Sequence, residues 1–285
     1  MGNLLSARGL SVNEQQDIKE LEEACCRHEK LNMKLNWDTL EERPDDENND
    51  FLYYEGNKLV GFLGLYGFGS KPKEIEITGM VHPDYRRKGI FKELFTAARQ
   101  ECIAREAGRI LSITERHSAA GTNFVKATGS HYSFSEYRMK FNEPTVPDFT
   151  KHGIILKKAD YKDYLELIHL DALCFGSPDC EMGNRRSEEV YKSVYAAELK
   201  GEFIGEIGAL MEGEDGYIFG FGVKPVYRGK GYGREILSLM LQKLLSDQIN
   251  TILLEVEVKN ENALSLYKSC GFKELTVYDY YEKAL

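Results

Sequence analysis

Long apolar runs are missing from this sequence of 285 residues. No stretch approaches the roughly 18 consecutive apolar residues that a membrane-spanning helix needs, so no membrane partner is predicted. The opening residues MGNLLS fit the myristoylation pattern at Gly2 and Ser6. Because that pattern is short and common, we expect an ordinary start rather than a lipid anchor.

Paired cysteines are also missing. None of the six cysteines belongs to a C-x-x-C pair, so the usual signal for a zinc or dithiol site is absent and no metal is predicted. We expect reduced thiols in a cytoplasmic protein. The six are Cys25, Cys26, Cys102, Cys174, Cys180 and Cys270.

A basic region is absent as well. Residues 1–150 contain 20 Lys and Arg against 24 Asp and Glu, and residues 151–285 contain 17 against 22, so the net charge of −9 is spread over both halves. Neither half offers a positive surface for nucleic acid, and no such partner is predicted. Hydrophobic residues make up 42% of the chain, which is enough for the packed cores of one large or two ordinary domains.

What the sequence does contain is an internal repeat. The segments VHPDYRRKGIFKELF (81–95) and VKPVYRGKGYGREIL (223–237) align at an offset of 142 residues, which also places Gly129 opposite Gly271. A match held over about forty residues indicates two copies of one unit. The aligned pairs are Val81 and Val223, Pro83 and Pro225, Tyr85 and Tyr227, Arg86 and Arg228, Lys88 and Lys230, Gly89 and Gly231, and Glu93 and Glu235.

Both copies have the same order of predicted elements. In order, these are a helix (17–31 and 160–174), a hairpin (51–68 and 194–210), a strand (74–81 and 217–223), a long amphipathic helix (88–106 and 230–246), a strand (109–115 and 251–258), a short helix and a last strand. Consecutive strands followed by a strand–helix–strand crossover predict an α/β fold. In each copy we expect a mixed, mostly antiparallel sheet flanked by helices.

The boundary between the copies is predicted near residue 145. Segment 142–153 contains two prolines and is the best candidate for a linker, so we assign residues 1–145 to an N-terminal domain and residues 146–285 to a C-terminal domain. The acidic segment 41–50, broken by a proline, is expected to be a solvated loop.

Each glycine segment lies where a predicted strand passes into a helix. The first turn of a helix has unsatisfied N–H groups and partial positive charge, so a phosphate or pyrophosphate fits there. A glycine turn needed only for packing is the alternative. Two nucleotide motifs are excluded, because Gly229, Gly231 and Gly233 match neither G-x-x-x-x-G-K-[ST] nor G-x-G-x-x-G.

The second copy resembles the GNAT superfamily of N-acetyltransferases. Arg228-x-x-Gly231-x-Gly233 is similar to the acyl-CoA-binding signature of that family, R/Q-x-x-G-x-G/A. Residues 258–274 resemble its N-x-x-A-x-x-L-Y-x-x-x-G-F motif through Asn260, Ala263, Leu266, Tyr267, Gly271 and Phe272. The first copy shares the element order and the first motif, so the chain is similar to a tandem GNAT protein.

The resemblance implies that acetyl-CoA is the co-substrate and binds to the second copy. Amides of the glycine turn would hold its pyrophosphate. The strand that ends at Val223 would splay from strand 251–258, pair with the pantetheine arm and polarise the acetyl carbonyl through a backbone N–H. The implied binding residues are Phe221, Val223, Arg228, Gly229, Lys230, Gly231, Tyr232, Gly233 and Asn260.

Tyr267 is the implied general acid, because a phenol near the leaving group can protonate the departing thiolate. A tyrosine that only packs in the core is the alternative. A carboxylate is expected to accept the proton of the amine. We name Glu255 for this role, with Glu257 on the same side of its strand and Glu206 on the hairpin as alternatives. A solvated strand face explains all three equally well.

The first copy departs from the pattern at two places. Phe91 replaces the glycine equivalent to Gly233, and Val125, which cannot protonate a thiolate, replaces Tyr267. Nothing in the sequence indicates that His117 or Tyr132 takes over. We interpret this copy as a binding or structural domain. Its anion site would consist of Val81, Arg86, Arg87, Lys88 and Gly89.

The sequence therefore predicts an acetyl-CoA-dependent N-acetyltransferase that acts on a small-molecule or peptide amine by direct attack in a ternary complex. A non-catalytic or regulatory CoA-binding protein on the same fold is the alternative, and an acyl group longer than acetyl is a further one. No motif identifies the acceptor or the oligomeric state.

Overall fold

The computed structural model describes residues 2–43, 46–67, 73–143, 145–160, 163–175 and 193–285. Phe68, at the end of the first predicted hairpin, and Cys180 lie outside the described residues. The chain forms two compact units: unit 1 contains Met1–Ser135 and Thr276–Leu285, and unit 2 contains Glu136–Leu275. These units differ from a single cut after residue 145, because residues 136–145 belong to unit 2 and the last ten residues belong to unit 1.

Unit 1 is built on a mixed sheet in the order β1–β2–β3–β4–β5–β12, in which only the β4–β5 pair is parallel. Its strands are β1 (Asn3–Ala7), β2 (Asp50–Glu55), β3 (Lys58–Gly67), β4 (Glu74–Val81), β5 (Arg109–Glu115) and the later part of β12 (Phe272–Ala284). Its helices are α1 (Val12–Glu29), α2 (Trp37–Glu41), α3 (Ile90–Ala104) and α4 (Ala119–Ala127).

Helix α1 shows why these elements form where they do. Ser11 caps its first turn, and Glu14 returns a hydrogen bond to the Ser11 backbone, which makes a capping box. Ile18, Leu21 and Cys25 follow at helical spacing and are buried. They pack with Leu52 and Phe62 of the hairpin, which gives unit 1 a core on this face of its sheet.

Unit 2 repeats this plan in the strand order β6–β11–β10–β9–β8–β7, with only β10 and β11 parallel. Its strands are the later part of β6 (His131–Phe141), β7 (Ile155–Lys158), β8 (Val194–Leu199), β9 (Glu202–Glu212), β10 (Asp215–Val223) and β11 (Thr251–Glu257). Its helices are α5 (Tyr164–Phe175), α6 (Tyr232–Ser246) and α7 (Glu261–Ser269).

Helices cover both faces of the unit 2 sheet. Helix α6 buries Ile236, Leu237 and Met240 in the same core as Ile252 and Leu254 of β11. On the other face, α5 packs its apolar stripe against β8 and β9. The residues of this second contact are Leu167, Leu170, Cys174, Ala196 and Phe203.

The predicted mixed sheets, hairpins and long helices are confirmed, whereas β1, α2 and β7 were not predicted. Segment 41–50 is not a solvated loop throughout. It contains the end of α2 and the start of β2, where Asp50 is fully buried with its Oδ2 3.2 Å from Arg43 Nε. In the described part of the chain, no helix is long and apolar enough to cross a membrane.

Candidate active site

In each unit the two parallel strands separate before they end. The β4–β5 ladder stops at the pair Ile77–Ser112, although β4 continues to Val81. The β10–β11 ladder stops at the pair Ile218–Leu254, and β10 continues to Val223. Beyond these pairs, backbone groups on facing strand edges can bind an extended ligand.

A β-bulge distinguishes the open strand of unit 2. The register of β9 and β10 shifts between Phe219 and Gly222, and Gly220 within the shift has φ +52°. In unit 1 the β3–β4 ladder runs without a shift from Gly61–Val81 to Gly67–Ile75. Because a bulge re-aims the backbone, unit 2 can direct an N–H into the gap between its strands.

A glycine begins the helix that follows each open strand. Gly231 caps α6 with φ +92°, and Gly89 caps α3 with φ +88°. Both values lie in the left-handed region that glycine adopts without strain. Within the described residues, no side chain caps either helix. The amides of the first turns therefore remain suited to an anion.

The arginines of the glycine turns form hydrogen bonds and ion pairs within the protein and so stabilise the turns. Arg228 donates through Nε to the Val223 carbonyl at 2.8 Å and through Nη2 to the Cys174 carbonyl at 2.7 Å. Its counterpart Arg86 donates to the Val81 carbonyl at 3.1 Å and pairs with Glu29 at 2.8 Å. These contacts leave the backbone amides as the main donors for a bound anion.

The other predicted anion-site residues follow the same pattern. Lys230 donates to the Val226 carbonyl at 2.9 Å, and Lys88 lies over the Tyr85 ring. Arg87 has φ +64°, the left-handed conformation that Gly229 adopts at φ +74° in unit 2. The turn in unit 1 thus keeps its shape without the glycine.

Tyr267 lies against the open strand of unit 2. Its ring centroid is 6.3 Å from that of Phe221 and 6.0 Å from that of Phe272, in the core on the α6 face of the sheet. Burial raises the pKa of Tyr267 to about 12, so its hydroxyl stays protonated at neutral pH. Asn260 caps α7, since its Oδ1 accepts from the Ala263 N–H at 3.2 Å.

A buried carboxylate lies on the opposite face of the same sheet. Glu206 is fully buried on β9, directly across from Gly222. A Cβ on Gly222 would lie 2.7 Å from the Cys174 Cβ, so this face is the one that α5 covers. Burial first and the charge of Glu206 second raise the pKa of Cys174 to about 12.

The two predicted carboxylates of β11 are placed differently. Glu255 is hydrogen-bonded to the Tyr217 hydroxyl, within the sheet region that still pairs with its neighbours. Glu257 is exposed at the end of the strand. The alternation predicted for this strand is confirmed, because Ile252, Leu254 and Val256 are buried on the other side.

Unit 1 contains a cavity of about 560 Å³ along its own open strands. Gly89 and Phe91 of the turn, Ser112 of β5 and Glu29 of α1 line it. Val125, which stands where unit 2 has Tyr267, is part of the wall and is buried. The cavity therefore has an apolar side chain at the position of the phenol.

The two other candidate acids of unit 1 are engaged elsewhere. The His117 side chain is 78% exposed, and its Nδ1 lies 3.0 Å from Glu115 Oε1. The Tyr132 hydroxyl is hydrogen-bonded to Ser135 Oγ at 2.8 Å. Neither residue replaces Tyr267 in position.

Both units are similar in sequence to one known protein family. The model of the acetyltransferase (GNAT) family matches residues 16–129 and 163–272, once in each unit. The chain belongs to the GNAT family. A mycothiol acetyltransferase of Mycolicibacterium smegmatis is 25% identical over 289 residues, which cover 94% of this chain and 95% of that protein.

Solved structures of GNAT proteins share the fold over the whole chain. A GCN5-related N-acetyltransferase from Sphaerobacter thermophilus superposes with a TM-score of 0.82 and 16% identity, covering 99% of this chain and 95% of that one. A tandem GNAT protein from the clavulanic acid biosynthesis pathway gives a TM-score of 0.76 and 15% identity, covering 100% and 98%. This GNAT protein therefore has a tandem fold, with one match of the family model in each unit.

Each GNAT unit has one aromatic ring between its open strand and the following helix, but the ring belongs to the helix in unit 1 and to the strand in unit 2. In unit 1, Gly79 of β4 faces Phe91, since a Cβ on Gly79 would lie 2.9 Å from that ring. In unit 2, Phe221 belongs to β10, and Gly233 leaves room for it and for Leu266, whose Cδ1 would be 2.8 Å from an added Cβ. The substitution of Phe91 for glycine is thus compensated across the cleft.

Two features of the site were not predicted. The bulge was readable in principle, because glycines in the strand segment Phe219–Val223 are typical of one. The hydrogen bonds between Glu235 and residues 151–154 could not be predicted from the sequence around Glu235, because these residues lie more than eighty positions earlier in the chain.

Proposed function

We propose that unit 2 transfers an acetyl group from acetyl-CoA to a primary amine by direct attack in a ternary complex. The observation that carries this proposal is the position of Tyr267 beside Phe221, at the bulge where β10 leaves β11. In the reaction a C–N bond forms, the thioester C–S bond breaks, and a proton of the amine is released. The unit must therefore polarise a carbonyl, receive a proton and stabilise a thiolate.

Each of these tasks has a candidate group in unit 2. First-turn amides of α6 and residues 228–233 would hold the pyrophosphate. The free edge of β10 up to Val223 would pair with the pantetheine arm, and an N–H of the bulge would polarise the acetyl carbonyl. Tyr267 would donate its hydrogen bond to the departing thiolate, with the proton supplied by a hydroxyl that stays protonated at neutral pH.

Glu206 is the carboxylate that we propose as general base, with Glu255 as the alternative. Glu206 lies across from Gly222 on the face opposite Tyr267, beside the bulge at which the acetyl carbonyl would bind. The amine adds to the thioester carbonyl and the tetrahedral intermediate then expels the thiolate, so the base and the acid act on different atoms. Glu255 is hydrogen-bonded to Tyr217, which is why it is the second choice.

The acceptor is proposed to be a small-molecule amine, with a peptide amine as the alternative. The relative that matches almost the full chain is named a mycothiol acetyltransferase, which favours a small acceptor. An acyl group longer than acetyl would need more room beside Phe221 and Tyr267 than acetyl does.

Tyr267→Phe is the direct test of this proposal. Because the ring still packs against Phe221, acetyl-CoA affinity should be nearly unchanged, while turnover should fall by about 10²-fold or more, as expected for loss of a general acid. Thiol release with an amine library identifies the acceptor and measures the rate. An equal fall in affinity and turnover would make Tyr267 a packing residue and contradict the proposal.

For unit 1 we propose a second acyl-CoA site without transfer. The cavity of unit 1, the first turn of α3, which no described side chain caps, and the open β4 strand favour binding, whereas Val125 lacks the phenol. Equilibrium dialysis should therefore find two acetyl-CoA sites per chain, one lost in Gly89→Glu and the other in Gly231→Glu, because a carboxylate would repel the pyrophosphate. A single site, lost in Gly231→Glu alone, would make unit 1 structural.

A further inference from the structure

Residues 151–154 are tied to the first turns of α6 by a buried carboxylate. Glu235 is 1% exposed and accepts from the backbone N–H groups of Lys151, His152, Gly153 and Ile154 at 2.9–3.2 Å. Burial alone would raise the pKa of Glu235, but these hydrogen bonds lower it overall. The carboxylate is therefore a fixed negative charge beneath the glycine turn.

The same carboxylate orients the side chain of His152. His152 Nδ1 lies 2.6 Å from Glu235 Oε2, and the imidazole centroid is 4.5 Å from that of Tyr232. The His152 Cε1 lies 3.5 Å from the point where a Cβ on Gly231 would stand. The ring is thus held on the glycine turn, with 31% of the side chain exposed to solvent.

This arrangement is specific to unit 2. The counterpart of Glu235 in unit 1 is Glu93, whose side chain is exposed. The residue at the repeat offset from His152 is Leu10, which packs against the core with α1. The contact between the histidine and the glycine turn is therefore not a feature that the two copies share.

We propose that His152 binds a phosphate group of acetyl-CoA in unit 2 and that Glu235 is its positioning residue. This inference rests on the proposed function, in which residues 228–233 hold the pyrophosphate. A doubly protonated imidazole can donate Nδ1–H to Glu235 and, at the same time, Nε2–H to a phosphate in a charge-assisted hydrogen bond. Arg228 and Lys230 already donate to protein carbonyls, so the His152 ring would be an additional donor beside the amides of the turn.

The test compares acetyl-CoA with S-acetylpantetheine, which has the thioester arm but no phosphate. The site of interest is the acetyl-CoA site that Gly231→Glu removes. Calorimetry on the full chain should show that His152→Ala weakens acetyl-CoA binding at this site about tenfold, which is the effect expected for loss of one charge-assisted hydrogen bond. S-acetylpantetheine affinity should not change. His152→Lys should recover most of the loss, because lysine supplies a cationic donor at the same position.

Glu235→Gln and a matched control complete the design. Glu235→Gln removes the charge that orients the ring, so we expect a smaller loss that again spares S-acetylpantetheine. His117→Ala is the control, because His117 forms a contact of the same kind, between Nδ1 and the Glu115 carboxylate, at another position in unit 1 and is exposed. It should leave the Gly231-dependent site unaffected.

The outcomes separate this inference from the function on which it rests. Unchanged or tighter acetyl-CoA binding in His152→Ala, at a site that Gly231→Glu still removes, would overturn the phosphate role and leave the proposed function standing. An equal loss for acetyl-CoA and S-acetylpantetheine would make residues 151–154 a structural support and would also overturn it. If Gly231→Glu removed no site, the proposed function would fail and this inference with it.

Discussion

The side chains of Glu206 and Tyr267 lie on opposite faces of one sheet, and in the proposed reaction this separation would give each a distinct chemical role. Glu206 is buried on the face that α5 covers, whereas Tyr267 packs on the face of α6. The bulge at Phe219–Gly222 lies between them in the sheet. A carbonyl at the bulge would thus have a base on one side and an acid on the other.

Glu206→Gln should lower turnover by about 10²-fold, the range expected for loss of a general base, with little change in acetyl-CoA affinity. The glutamine fits the same space but cannot accept the proton of an amine. Glu255→Gln is the matched control and should be nearly neutral, since its partner Tyr217 can still donate to the amide oxygen.

A pH–rate profile checks this assignment. In the wild type the rate should fall at low pH as the base is protonated, and this limb should disappear in Glu206→Gln. If Glu255→Gln is the slow variant instead, Glu255 is the base and the first choice from the sequence was right.

At the residue scale, the sequence predicted backbone positions better than side-chain contacts. Tyr267 and Gly231 were predicted from motif spacing, and both lie at the open strand and its turn. Arg228 was expected at the pyrophosphate but donates to the Val223 carbonyl, and Asn260 caps a helix. A motif fixes a backbone position, whereas side-chain partners depend on distant segments such as the end of α5.

At the scale of elements, the turn into α6 shows how a helix terminus is held by a remote segment. Its first turn has no side-chain cap within the described residues, while Glu235 one turn later accepts from residues 151–154. Segment 142–153 was predicted as a linker because of its prolines. This segment contains three of the four residues whose backbone N–H groups donate to Glu235. A local sequence pattern cannot reveal these hydrogen bonds, because Glu235 lies more than eighty residues further along the chain.

Glu235 should give unit 2 a stability that depends on pH. Its pKa is lowered in the folded protein, so the carboxylate stabilises the fold above the ordinary glutamate pKa, and this contribution is lost as the pH falls through the folded value. At neutral pH, Glu235→Gln should cost about 2 kcal/mol, the size of a hydrogen-bonded buried charge. The difference between the variants should shrink toward pH 3.

Urea unfolding of wild type and Glu235→Gln between pH 3 and pH 7 measures this difference. Glu93→Gln, at the exposed counterpart in unit 1, is the control and should show no such trend. A difference that stays constant with pH would contradict the role of the Glu235 charge.

At the scale of the whole molecule, the two units are assembled from exchanged chain segments. Residues 278–284 of β12 pair with β5 in unit 1, and residues 136–140 of β6 pair with β11 in unit 2. The sequence could not predict this exchange. Which sheet edge a last strand joins depends on pairing partners that lie far along the chain, and a local pattern does not identify them.

The end of the chain is a structural part of unit 1. Tyr278 and Tyr280 are fully buried there with Leu111, and Asp279 pairs with Arg116 at 2.6 Å. Ser135 donates to the same Asp279 carboxylate at 2.6 Å. The hydrogen bonds and ion pair of Asp279, together with the two tyrosines, therefore hold the end of β12 beside β5.

Tyr278→Ala should destabilise unit 1 by about 3–5 kcal/mol, as for other buried aromatic residues truncated to alanine. Trp37, the one tryptophan of the chain, belongs to unit 1, so its fluorescence reports the unfolding of that unit. The fluorescence transition should move to lower urea in Tyr278→Ala. In the matched variant Tyr195→Ala, the truncated ring is buried in unit 2. The fluorescence transition should move much less in this variant, whereas the helical circular dichroism signal should begin to fall at lower urea than in the wild type. If the Trp37 transition responds to Tyr195→Ala and not to Tyr278→Ala, the last ten residues stabilise unit 2 and the exchange of strands is wrong.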